Sequence, residues 1–259
     1  MSLKKDVAFA VWPGAATVIS SIRARRRSHR LVKEWGLFEL NRRLVAEFGR
    51  TVIAGPFKGL VLTDASLSEH IGPYLLGTYE MELHDTWRRI LERTFEQIID
   101  VGANFGYYAA GLASRFPKTP TVAFDTDWWA RWAVRDMATT NGLTNVSVKS
   151  ACSPGWLSRH LRPRALIVSD CEGYEGQLFE GEIPALSTAS LVIEVHEQFV
   201  PGVTDRLRSR FRGTHALDVV DSRSVTPPPP RAETLTPDEM KRASHEVRDP
   251  QQWFVLNPR

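Results

Sequence analysis

Cysteine is nearly missing from this 259-residue chain, which has only Cys152 and Cys171. Two cysteines cannot build a disulfide framework, and their separation matches no metal-ligand spacing. A reducing cytoplasm is therefore the expected setting, with both thiols packed as small buried hydrophobes. Long apolar runs are missing too: no stretch approaches the ~20 residues that cross a bilayer, so no membrane span is expected. Met1 to Ser21 imitates a secretory leader, but Asp6, Trp12 and Pro13-Gly14 interrupt it and no cleavage box follows. There is no internal repeat, and Pro227 to Pro230 is the only low-complexity segment.

What is present is ordinary for a globular protein: 42% hydrophobic and 24% charged residues. The length suits one α/β domain with an appendage, here an N-terminal extension over residues 1–94 and a core over 95–259. The net charge of +3 is local in origin, since Arg23, Arg25, Arg26, Arg27 and Arg30 cluster ahead of the core. Such a cluster reads first as a solvated helix face or flexible arm and second as a contact for nucleic acid or an anionic surface.

Residues 22–49 read as a basic amphipathic helix whose stripe of Leu31, Trp35, Phe38 and Val45 docks on the core. Thr51 to Gly55 and Leu60 to Thr63 flank Pro56-Phe57-Lys58-Gly59 as a short hairpin. A helix follows over Met81 to Arg93. Beyond residue 97, short apolar runs alternate with helical segments, the pattern of a parallel sheet. The predicted strands are Gln97 to Val101, Thr121 to Phe124, Val146 to Lys149, Ala165 to Ser169, Leu191 to Val195, His215 to Asp221 and Trp253 to Asn257. Seven strands fit a Rossmann-like doubly wound sheet, and the return after the proline run allows an antiparallel last strand.

The most telling segment is Ile98-Ile99-Asp100-Val101-Gly102-Ala103-Asn104-Phe105-Gly106-Tyr107-Tyr108: a buried strand, a glycine turn and a helix start. Its glycines let backbone approach a ligand, and the helix start offers free N–H groups. A dinucleotide fingerprint would read G-x-G-x-x-G to admit pyrophosphate. Here Asp100 precedes a G-x-x-x-G turn, and its carboxylate favours an ammonium-bearing cofactor such as S-adenosylmethionine over NAD. In open α/β sheets ligands lie beyond the carboxyl ends of the strands, and those positions are acidic here. Asp125 follows the second strand at a distance suited to ribose hydroxyls, while Asp127 is the better helix cap. Trp128 and Trp129 read as packing residues.

Ser169-Asp170-Cys171-Glu172-Gly173-Tyr174-Glu175 carries Asp170 and Glu172 into the loop facing the glycine turn, where buried acids bind or react; the plainer alternative is a solvated loop that caps the next helix through Glu175. In Leu191-Val192-Ile193-Glu194-Val195-His196, Glu194 and His196 share a face, and Glu194 is placed to orient the imidazole. Asp170 and His196 are the candidate bases. Tyr107 and Tyr108 read as packing residues before any cation–π role at sulfur.

With these motifs in this order, the chain resembles the FkbM-type class I S-adenosylmethionine-dependent methyltransferases over residues 77–221. The resemblance implies a seven-stranded Rossmann-like sheet with a reversed last strand and methylation of a hydroxyl on a natural product or carbohydrate. It implies that Asp100, Gly102, Asn104 and Gly106 surround the methionine part of the cofactor, that Asp125 holds the ribose, and that Asp170 and Glu172 border the transfer crevice. Gly77-Thr78-Tyr79-Glu80 resembles a segment that closes over the cofactor, which adds Glu80 to the binding residues. Lys149-Ser150-Ala151-Cys152 lacks the acid that many methyltransferases direct at adenine, so the adenine contact stays unassigned. The expectation is a small-molecule O-methyltransferase. Rival readings are an RNA methyltransferase using the basic arm, a non-catalytic binding module and an NAD oxidoreductase. A divalent metal among Asp170, Glu172, Glu194 and His196 is a less favoured variant.

Overall fold

The computed structural model describes residues 36–66, 70–222, 234–246 and 251–259. Leu31, Trp35, the arginine cluster and the proline run lie outside the described residues. In chain order, α1 (Leu37–Phe48), a hairpin-like turn and α2 (Gly72–Leu76) lead through a 3-10 turn, Met81–Leu83, into α3 (His84–Leu91). Strands and helices then alternate: β1 (Gln97–Val101), α4 (Tyr107–Arg115), β2 (Thr121–Phe124), α5 (Trp128–Thr140), β3 (Val146–Lys149), α6 (Pro154–His160), β4 (Ala165–Ser169) and α7 (Glu175–Leu178). The 3-10 turn Pro184–Thr188, β5 (Ser190–Val195), α8 (Val203–Phe211), β6 (His215–Asp221), α9 (Pro237–Ser244) and β7 (Gln252–Pro258) complete the described elements.

The strands form one sheet in the order β3-β2-β1-β4-β5-β7-β6. Pairing is parallel from β3 to β5, and β7 runs antiparallel between β5 and β6. The expected Rossmann-like doubly wound sheet with an antiparallel last strand is therefore the observed fold. Central strands covered on both faces must be apolar on both. Thus Ile98, Leu166 and Val192 face the layer with α1 to α5 and α9, while Ile99, Ile167 and Ile193 face the layer with α6 and α8. The β3 edge alternates half-buried and exposed residues, as an outer strand should.

Local chemistry sets the helix starts. Asp127 accepts a hydrogen bond from the Trp129 N–H at 2.9 Å and caps α5, and Thr236 with Glu239 forms a reciprocal capping box on α9. The hairpin at 51–63 is barely sheet-like: Thr51 and Val61 form an isolated antiparallel bridge, supported by Val52 N–H to Leu60 O at 2.8 Å. The predicted stripe of α1 is out of register. Phe38 is exposed and Val45 is half-buried, whereas Leu37, Leu40, Asn41 and Leu44 are buried. Those positions follow the i, i+3, i+4, i+7 spacing of one helix face, which excludes Phe38. Trp128 also departs from expectation, since it is 72% exposed at the start of α5 while Trp129 packs partly on the core.

Candidate active site

The carboxyl ends of β1, β2, β4 and β5 bring Asp100, the glycine turn, Asp125, the 170–175 loop and His196 to one end of the sheet. The turn is drawn tight by backbone bonds: Gly102 and Ala103 N–H groups donate to Phe124 O at 2.9 and 3.0 Å, and Asp170 N–H donates to Val101 O at 2.9 Å. Gly102 has φ +88, and a Cβ there would stand 1.6 Å from the Asp170 carbonyl oxygen. Only glycine permits this approach of the β1 turn to the β4 loop. Asn104 also adopts a left-handed conformation, φ +47, and its N–H donates to Asp125 Oδ2 at 2.9 Å.

Asp100 is buried on β1, and its Oδ2 has no hydrogen-bond partner among the described residues. Burial, then the charges of Asp170 and Asp125, pushes its carboxyl up to about 8. Without a bound cation it is mostly protonated at neutral pH, and a cation beside it would favour the ionised form. Asp125, half-buried after β2, is raised by burial to about 6 although the Asp127 and Asn104 N–H groups favour its ionised form.

The second half of the site centres on His196, which is 1% exposed. Its Nδ1–H donates to Glu175 Oε1 at 2.7 Å, and the same oxygen accepts from the Cys171 and Gly173 N–H groups at 3.1 and 3.3 Å. Its Nε2 faces Asp170 Oδ1 at 3.5 Å, Glu194 Oε1 at 3.8 Å and Glu172 Oε2 at 3.9 Å. Burial opposes charge on the imidazole, but the hydrogen bond and charge of Glu175, with Asp170 and Glu172, outweigh it and raise His196. Glu175 is lowered overall: the His196 hydrogen bond and charge overcome its burial. Glu172 is raised by burial and by Asp170.

One expectation is thereby corrected, and the solvated-cap alternative falls with it. Glu175 is a fully buried anchor, and it, rather than Glu194, holds the His196 imidazole. Its signal in the sequence was weak: an acid followed closely by the apolar pair Leu178-Phe179, which places it against the core. His196 also carries a proton unless another cation replaces it, so it is poorly suited to serve as a free base at neutral pH.

Glu80 joins from the segment ahead of β1. It is buried with φ +46, accepts a hydrogen bond from the Tyr108 hydroxyl at the start of α4, and donates its own N–H to Glu246 Oε1 at 2.8 Å. Tyr107 and Tyr108 pack as expected, in an aromatic group with Phe57, Tyr79 and Trp87. Sequence reasoning overlooked Tyr108 and Glu246 as partners of Glu80. Both cysteines are free and buried. Among the described residues no helix is long and apolar enough to cross a membrane.

A doubly wound sheet with acidic side chains gathered at the carboxyl ends of its parallel strands thus defines the molecule. No protein-family model and no curated protein matches the chain. Similar solved structures include a precorrin-6y C5,15-methyltransferase from Geobacter metallireducens, at 13% identity and TM-score 0.46, covering 67% of this chain and 88% of that one. An rRNA methylase from Streptococcus thermophilus shows 13% identity and TM-score 0.45, covering 69% and 97%. TrmN from Thermus thermophilus shows 16% identity and TM-score 0.44, covering 78% and 56%.

Proposed function

We propose that the chain is an FkbM-type class I S-adenosylmethionine-dependent methyltransferase, cytoplasmic, with residues 1–94 an extension on a core of 95–259, acting on a hydroxyl of a small molecule. The observation that carries this reading is the buried Asp100 Oδ2, unpartnered among the described residues, beside a glycine turn with Asp125 and Asp170 near it. Burying acids without compensation costs several kcal/mol, roughly, so the crevice suits a cationic occupant. The ammonium and sulfonium of S-adenosylmethionine fit that charge, whereas the pyrophosphate of NAD would be repelled.

Asp100, Gly102, Asn104 and Gly106 would hold the methionine part, Asp125 the ribose hydroxyls, and Glu80 the closing segment above α4. When bound, the cofactor supplies an activated methyl group. The chain's own task is then alignment of the acceptor between the β1 and β4 ends, together with removal of the hydroxyl proton. Asp170 is the better proton acceptor because His196 is held protonated by Glu175, and Glu172 borders the acceptor on the same loop.

Calorimetric titration with S-adenosylhomocysteine, with NADH in parallel, tests the reading. Micromolar binding of the first alone is expected, weakened in Asp100→Asn by about 1.5–3 kcal/mol, the worth of a hydrogen bond to a charged group. Absence of binding in folded protein would overturn it. A proton signature accompanies the binding. In the fold Asp100 keeps its proton to about pH 8, against 3.8 for the ordinary side chain. The native state therefore holds one more proton between those limits, and stability falls as pH rises through that window, then levels off above 8. Cofactor binding that recruits the carboxylate releases this proton, so affinity should climb toward pH 8 with buffer-dependent heats. Asp100→Asn should lose both the stability slope and the proton release.

A further inference from the structure

We propose that Asp170, Glu172 and His196 form a site for a divalent transition ion of the Mn²⁺ type. One ligand atom from each lies within 4.8 Å of the others. Two donors at ~2.1 Å from an ion, subtending 90–110°, stand about 3.0–3.5 Å apart. The 3.5 and 3.9 Å separations from His196 Nε2 to Asp170 and Glu172 therefore need only small closing movements.

The imidazole provides an observation independent of the carboxylates. His196 is 1% exposed, and its Nε2 points among three carboxylate oxygens at 3.5 to 3.9 Å, all beyond the ~2.7–3.2 Å of a good hydrogen bond. Its Nδ1–H is fixed on buried Glu175 at 2.7 Å. Metal-bound histidines are commonly held through their other nitrogen by a carboxylate in this way, which turns the remaining lone pair toward the ion. Two carboxylates and one imidazole suit Mn²⁺ better than Mg²⁺, which prefers oxygen alone. The Asp170 and Glu172 side chains are 35% and 30% exposed, so the ion's outer side is open to an acceptor oxygen.

The ion site stands on its own geometry, whereas its use rests on the proposed function. A hydroxyl bound at the open side would be made more acidic, and with Asp170 engaged as a ligand its proton would pass to water rather than to that carboxylate. Its oxygen then bonds to the methyl carbon as the carbon–sulfur bond breaks and sulfur keeps the electron pair.

Mn²⁺ titration of the full chain, followed by electron paramagnetic resonance, tests the site. One saturable site of micromolar affinity is expected, weakened at least tenfold in Asp170→Asn and in Glu172→Gln. Pulsed measurements should show nitrogen coupling from a bound imidazole, lost in His196→Gln. No saturable binding, or binding unchanged in both carboxylate variants, would overturn the proposal. Glu172 is on a partly exposed loop, so its variant keeps the test valid if Asp170→Asn misfolds. Titration of the same protein with S-adenosylhomocysteine separates the two proposals. Mn²⁺ binding without S-adenosylhomocysteine binding supports the ion site and defeats the methyltransferase reading, and the reverse result defeats the ion site alone.

Discussion

Gly102→Ala is expected to lower the unfolding free energy by about 3–5 kcal/mol and to abolish S-adenosylhomocysteine binding. At φ +88 an L-residue is strained by roughly 1–3 kcal/mol before any contact is counted. The added Cβ would then overlap the Asp170 carbonyl oxygen at 1.6 Å, and no rotamer can relieve a clash made by Cβ itself. The β1 turn and β4 loop must part, which also breaks the Asp170 N–H bond to Val101. Gly142 provides the control, since its φ is +64 but its Cβ would meet nothing within 4 Å. Gly142→Ala should lose only about 1–2 kcal/mol, the backbone penalty alone. Urea denaturation of both variants makes the comparison, and equal losses would disprove the close approach of the two loops.

Glu175→Ala carries the second large effect. It removes the acceptor shared by His196 Nδ1 and two loop N–H groups, leaving a buried imidazolium and two unpaired donors. Removing one partner of a buried ion pair typically destabilises by about 3–5 kcal/mol. Glu175→Gln retains an acceptor oxygen for the loop and should lose only about 1–3 kcal/mol. The Ala variant should also lose the proposed methyl transfer, since both the 170–174 loop and the imidazole lose their orientation. Denaturation midpoints together with turnover on any identified acceptor check this. A loss within about 0.5 kcal/mol, as at a surface site, would contradict the anchor role.

How far the site was legible follows from where each interaction lies along the chain. Asp100, Asp125, Asp170, Glu172 and His196 were read because each ends or closely follows an apolar strand, a position visible in one dimension. Asp127 was read as a helix start because a cap acts over two or three residues. The partner of His196 was misassigned because Glu194 is two residues away and Glu175 twenty-one, so the nearer acid looked the natural choice. The stripe of α1 slipped because Phe38 is apolar in composition but points away from the surface that the helix covers.

The sequence by itself determined the strands, the glycine turn and the acidic character of the strand ends. Buried parallel strands require continuous apolar runs, and a tight strand-to-helix turn requires glycine at fixed positions. Tertiary structure decided the strand order, which seats the β1 turn against the β4 loop and leaves room only for glycine at 102. It also decided the charge states: the same aspartate side chain is raised to about 8 at position 100 and about 6 at position 125. Proton affinity depends on desolvation and on neighbouring charges brought from distant parts of the chain, and those are set only when the sheet is assembled.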